Sequence, residues 1–184
     1  MKHLALITCL PILTIACGTD NDTESEGGSA SSNTISQLAI DEFLVDSTSE
    51  ADWVFIDLDE QANEVDSTSP WDIAIQRYRV KLNTGANAET TAAVIDLSHD
   101  DVVEIPTADV FTTDQVTTNI DDGLVFLGDS PWYDYDSSTH ILRSKEQRSY
   151  IVKSNNGVDF VVSVVDYYDD VGTPGFMKFK IKSL

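Results

Sequence analysis

Beyond residue 34 the chain is a series of short apolar runs broken by Asp, Ser, Thr, Asn and Gly. No window keeps a helical 3.6-residue stripe beyond about two turns, whereas β-branched and aromatic residues are abundant, so the pattern predicts strands. The predicted strands are 35–45, 53–58, 71–82, 92–97, 102–105, 124–127, 132–135, 150–153, 158–168 and 176–182. Phe160 to Val165 is apolar on both faces and predicts an interior strand. Asn155-Asn156-Gly157 predicts a hairpin just before it, since Asn and Gly accept left-handed backbone. In the last strand Met177, Phe179 and Ile181 alternate with Lys178, Lys180 and Lys182, which predicts a half-exposed edge guarded by lysines. Thr173-Pro174-Gly175-Phe176 fits a type II turn leading into it. The expected fold is a single all-β domain with mainly antiparallel sheets, and no internal repeat is visible.

The segment WDIAIQRYRVKLNTG, from Trp71 to Gly85, carries a parity change. Trp71, Ile73 and Ile75 share one face of an extended strand, and the next apolar set is Tyr78, Val80 and Leu82. A strand that keeps one core changes parity by inserting a residue, so a β-bulge or sheet-switching bend is expected at Gln76 and Arg77. Asn83-Thr84-Gly85 then supplies a turn. Trp53, Trp71, Ile73, Phe160, Val162 and Val164 are the predicted core.

This wording resembles the HmuY family of haem-binding lipoproteins, in which a Trp-Asp-Ile-Ala strand runs to an Asn-x-Gly turn. Two further patches are similar to that family. ADWVFIDLDE, starting at Ala51, matches its opening Trp-x-Phe-x-x-Leu strand. The closing block has the aromatic run at Trp132, Tyr133 and Tyr135, a strand ending in a glycine turn, a strand closing on Asp166-Tyr167-Tyr168, and a last strand after Gly175. The resemblance spans about residues 38–184, with a divergent middle at 86–128. It implies an HmuY-like all-β fold and a haem ligand passed to an outer-membrane receptor of the TonB-dependent kind.

The first residues, MKHLALITCLPILTIAC, read as a bacterial lipoprotein signal. Lys2 supplies the positive start, and the apolar run from Leu4 to Ile15 is too short to span a bilayer. Ala16 before Cys17 supplies the small residue that lipoprotein processing needs. The expected organisation is a signal peptide over 1–16, a lipidated Cys17, a flexible polar tether over 17–34 and the β domain over 35–184. The alternative is an ordinary signal peptide that happens to contain Cys17. The expected location is the outer membrane, on its periplasmic side or at the cell surface. Both cysteines lie at or before Cys17, so the domain holds itself together by burial without a disulfide.

The net charge of −21 makes the phosphate term of nucleic-acid binding repulsive and excludes that partner class. It also repels anionic membrane surfaces, which leaves the lipid as the anchor. No His-Glu-x-x-His, Gly-x-Ser-x-Gly or phosphate-cradling glycine loop occurs, and the chain is not read as an enzyme. The acidic runs Asp166-Tyr-Tyr-Asp169-Asp170 and Asp134-Tyr-Asp136 offer oxygen ligands for calcium, but neither has EF-hand spacing. Solvated strand ends are the stronger reading of both.

Beyond the signal only His99 and His140 remain as imidazoles. If the haem implied by the resemblance is bound, His140 is the expected iron ligand and His99 its expected partner. Trp132, Tyr133 and Tyr135 are the expected flat walls for the porphyrin. The plainer alternatives are that His140 caps a surface strand, that His99 is a loop residue and that Met177 is core. A β-rich interaction or adhesion lipoprotein of the same fold, without haem, is the competing function.

Overall fold

The computed structural model describes residues 35–39, 41–85 and 88–184. The expected signal peptide, Cys17 and the tether lie outside the described residues. Among the described residues no helix is long and apolar enough to cross a membrane.

The strands are β1 (Ile35–Ala39), β2 (Glu42–Asp46), β3 (Val54–Asp57), β4 (Asn63–Val65), β5 (Ile73–Gln76), β6 (Arg79–Leu82), β7 (Thr91–Ile95), β8 (Tyr133–Asp136), β9 (Ile141–Ser144), β10 (Ser149–Lys153), β11 (Asp159–Tyr168) and β12 (Pro174–Ser183). Among the described residues helix is confined to short turns, two of them 3₁₀ (His99–Asp101 and Ala108–Val110) and one α-helical (α1, Ile120–Gly123). The strands form a six-stranded sheet in the order β1-β2-β12-β11-β10-β7, a four-stranded sheet β4-β3-β5-β6, and a hairpin β8-β9. All pairings are antiparallel. The expected all-β architecture is therefore present.

The two larger sheets enclose one core. Val45, Val162, Met177 and Phe179 of the six-stranded sheet meet Val54, Ile56, Ile73, Ile75, Val80 and Leu82 of the four-stranded one. Alternation along each strand selects these inward positions, and each large apolar side chain so buried contributes about 1.5–3 kcal/mol. The β10–β11 hairpin turns where predicted. Gly157 has φ of +82°, and the Ser154 N–H donates to the Val158 carbonyl at 2.8 Å.

Several sequence expectations are corrected. The stretch 35–45 is a hairpin of β1 and β2 rather than one strand. The parity change in 71–82 is also a hairpin, since β5 and β6 pair through Gln76↔Arg79 with Arg77 and Tyr78 as a two-residue turn. Arg77 adopts φ of +52°, and its N–H donates to the Ser47 carbonyl at 2.9 Å, which holds an unfavoured residue in the turn. Register shifts occur instead in the β11–β12 pair, between Val164 and Asp166 and between Asp166 and Tyr168. Strand β12 is an interior strand between β2 and β11, so its lysines line the outer sheet face rather than an edge. Its hairpin reverses at residues 169–173, where the Asp169 N–H donates to the Thr173 carbonyl, while Gly175 takes φ of +100° inside the strand.

The runs 102–105 and 124–127 are not strands. Val102 alone of its run is buried, and Val103 is 76% exposed. Leu124, Phe126 and Leu127 enter the core from a turn in which the Leu127 N–H donates to the Leu124 carbonyl. Strands β4 and β9 were not predicted. Trp53 and Trp71 are not in the core either. They are half-buried with Phe55 on the outer face of the small sheet, and Lys81 Nζ sits 4.0 Å from the Trp53 ring centre and 5.4 Å from that of Trp71. A lysine stem with its ammonium among three rings covers that face by packing and cation–π attraction.

Candidate functional site

The hairpin β8–β9 carries His140, Tyr133 and Tyr135, and Trp132 lies immediately before it. It closes through the pair Asp136↔Ile141, which leaves residues 137–140 as the loop. Asp136 builds that loop. Its Oδ1 accepts the Ser138 N–H at 2.9 Å, the Ser138 hydroxyl at 2.7 Å and the Thr139 N–H at 3.3 Å. These donors hold the Asp136 carboxyl well below the usual carboxylate range, with the Ser138 hydroxyl the largest cause. The Asp136 carbonyl accepts the His140 N–H at 2.7 Å, and His140 itself has φ of +59°. A non-glycine residue in the left-handed region is uncommon, and here the loop's own bonds enforce it.

The His140 ring is exposed, and its Nδ1 lies 2.5 Å from the hydroxyl of Tyr135. Tyr135 is itself 54% exposed. Tyr133, two residues back on the same face, is half-buried against the core and meets the Tyr78 ring edge-on at 6.1 Å. Trp132 is only 1% exposed, and its Nε1–H donates to the Tyr78 carbonyl at 3.0 Å. Trp132 is therefore core and offers no open wall, which corrects one of the three aromatic expectations. The hairpin is tied to the large sheet at two points. The Leu142 N–H donates to the Tyr168 hydroxyl, and the Ser144 hydroxyl donates to the Val165 carbonyl.

Beside the hairpin stands a second polar group that the sequence did not single out. Arg79 Nε donates to Asp121 Oδ1 at 2.5 Å, and the Tyr78 hydroxyl donates to Asp121 Oδ2 at 2.7 Å. Burial, followed by the bond to Asp121, pushes the Tyr78 phenol up to about 12. The residues come from β6, its turn and α1, segments with no shared sequence signal.

His99 lies elsewhere. It opens the first 3₁₀ turn and is 5% exposed, with Nδ1 3.0 Å from Asp100 Oδ1 and a buried Nε2 that has no hydrogen-bond partner. Asp100 reaches Lys180 at 3.6 Å, and Lys180 pairs across to Ser163 on the outer face of the six-stranded sheet. The same outer face carries Val102, Ile151 and Val161 as a small separate cluster. The hairpin, by contrast, packs Tyr133 and Leu142 against the core between the sheets. The structure thus does not bring the two imidazoles to one place.

The acidic runs weighed for calcium are turned to their own backbone. Asp166 Oδ1 accepts the N–H groups of Tyr167 and Tyr168, and Asp169 Oδ1 accepts those of Val171 and Thr173. Asp134 faces Lys145 at 3.3 Å. A different trio, Asp57, Asp59 and Asp72, brings one carboxylate oxygen each within 4.8 Å of the others. Protein donors engage all three residues: Asp59 and Glu60 N–H on Asp57, Ser154 and Asn156 on Asp59, Leu58 and Asn155 N–H on Asp72.

The HmuY family model matches residues 49–181, and the chain belongs to the HmuY family. Its fold is shared with several solved structures. One is the apo form of the HmuY analogue of Tannerella forsythia, at 16% identity, covering 81% of this chain and 97% of that one with a TM-score of 0.61. A second, from Bacteroides vulgatus, is described as HmuY-like and heme-binding, at 20% identity, 81% and 95% coverage and a TM-score of 0.55. A third, a Bacteroides fragilis protein described as a lipoprotein, has 20% identity, 80% and 91% coverage and a TM-score of 0.55. At these identities the likeness is one of fold. The comparison with curated proteins gives no match.

The hairpin suits an iron porphyrin in its donor set. In an exposed imidazole whose Nδ1 is engaged by an oxygen, Nε2 is the nitrogen left to ligate a metal, the usual division of roles in a metal-ligating histidine. Bound haem supplies an iron that accepts such a nitrogen and a flat apolar ring that packs on aromatic faces.

Proposed function

We propose that this protein is a haem-binding lipoprotein that carries haem to a TonB-dependent receptor in the outer membrane. The exposed His140 imidazole, held on Tyr135 in a chain of the HmuY family, is the observation that supports this reading most. His140 is the iron ligand, with Tyr133 and Tyr135 flanking the porphyrin. His99 serves as second ligand only if its 3₁₀ turn leaves the sheet face, because its imidazole is buried. The chain is anchored through a lipid on Cys17, and the location follows from that anchor.

Titration of the purified chain with haemin tests the proposal. An equimolar Soret change that His140→Ala abolishes is expected, whereas His99→Ala leaves it in place. Wild-type protein that gives no Soret change refutes haem binding.

A second reading, a protein-interaction module without haem, draws on the loop between β7 and β8. Leu97, Val103, Ile105, Val110 and Val116 are all exposed there. Apolar side chains exposed along one loop offer surface for contact with a protein partner.

A further inference from the structure

Tyr135 was expected to act as a porphyrin wall, but its hydroxyl points to a different task. We infer that Tyr135 is a positioning residue that fixes the ring orientation of His140 and serves as acceptor to its Nδ1–H when Nε2 binds iron. The inference rests on the haem reading above. At 2.5 Å the phenol oxygen and His140 Nδ1 share a proton-bearing hydrogen bond. It has two forms. Either the phenol donates to Nδ1, which puts the ring proton on Nε2, or Nδ1–H donates to the phenol oxygen, which leaves the lone pair on Nε2. Only the second form ligates iron through Nε2. A hydroxyl can turn from donor to acceptor, so Tyr135 follows the change and keeps its bond to Nδ1.

The hairpin explains why the partner is a phenol. Its carboxylates are committed, Asp136 to the loop N–H groups and to Arg143 at 3.7 Å, Asp134 to Lys145. A neutral oxygen therefore takes Nδ1 in a hairpin rich in acid. A phenol draws less imidazolate character from the ring than a carboxylate does, and second-shell partners of this kind tune both affinity and potential. The left-handed backbone of His140 and its N–H bond to the Asp136 carbonyl at 2.7 Å fix the base of the side chain. The phenol then fixes its far end.

The test compares Tyr135→Phe, His140→Ala and wild type in the full chain, with haemin as the probe. Tyr135→Phe keeps the aromatic wall and removes only the hydroxyl. It should weaken haemin binding by about tenfold or more, the range seen for second-shell partners. It should also lower the iron–imidazole stretching frequency of the reduced complex and raise the ferric/ferrous potential, while the melting temperature of the haem-free chain stays unchanged. Tyr135→Phe with wild-type affinity, vibration and potential overturns the positioning role and leaves haem binding standing. A phenolate-to-iron absorption band in wild type that Tyr135→Phe removes overturns it too, because Tyr135 is then the ligand itself. No Soret change in wild type overturns the haem reading and this inference together.

Discussion

The carboxylate of Asp72 accepts the backbone N–H of Asn155 at 2.8 Å across 83 residues of sequence. Its other oxygen accepts the Leu58 N–H at 2.9 Å, and Asp72 has no exposed surface. The Asp of the Trp-Asp-Ile-Ala strand is therefore a buried clasp joining the start of β5 to the end of β3 and to the β10–β11 turn.

Replacing Asp72 by Asn turns one acceptor into an N–H₂ that faces a backbone N–H. A loss of about 1–3 kcal/mol in urea unfolding is expected. Burial holds the Asp72 carboxyl above its usual value despite those two bonds. A raised carboxyl contributes stability that is complete below the unfolded value of about 3.9 and is lost as pH rises through the native one. The stability gap between wild type and Asp72→Asn should accordingly widen from pH 7 towards pH 4. A gap that narrows contradicts this account.

Tyr78 titrates late. Its phenol, pushed up to about 12, contributes stability that is fully present below the ordinary value of 10 and disappears as pH rises through 12. Ultraviolet titration of wild type should show a tyrosine component near 12 that Tyr78→Phe lacks. Finding the same late component in the variant would assign it to another phenol.

Gly175 sits at φ of +100°, and an added Cβ would lie 3.0 Å from Thr48 Cα and 2.9 Å from Arg77 Nη1. Its carbonyl also accepts both the N–H and the hydroxyl of Ser47. Gly175→Ala should lower stability by about 1–3 kcal/mol, read as a drop in thermal midpoint. Gly157→Ala, also at positive φ but with open space around it, should lower it less.

Cys17→Ala should move the protein from the membrane fraction to the soluble fraction. The expectation follows from Ala16-Cys17 behind a short apolar run, and from a net charge that gives no attraction to anionic lipid. Unchanged sedimentation with membranes would rule out the lipid as anchor.

The sequence made most β-rich segments legible because burial in a sheet imposes a period of two, as β12 shows from Met177 to Ile181. It misled where chain reversal came without turn chemistry. Arg77 and Tyr78 form a hairpin turn with neither Gly nor Asn, so the parity change looked like a bulge. It misled again where apolar runs fill a core from a loop, as Leu124, Phe126 and Leu127 do. Composition located His140 and Tyr135 in one segment, but their hydrogen bond depends on a left-handed residue that no local signal announces. The separation of His99 from His140 depends on which sheet face the 3₁₀ turn covers, and elimination by residue type is blind to that.

The place of β12 between β2 and β11 also has a meaning in time. Phe43 and Phe179 are register partners drawn from near the two ends of the described chain. A ribosome delivers the chain from one end, so β2 waits for its inner neighbour until almost everything else has emerged. Contacts so distant in sequence are slow to close. The nascent chain cannot complete its large sheet early, and the fold closes only when its last long strand arrives.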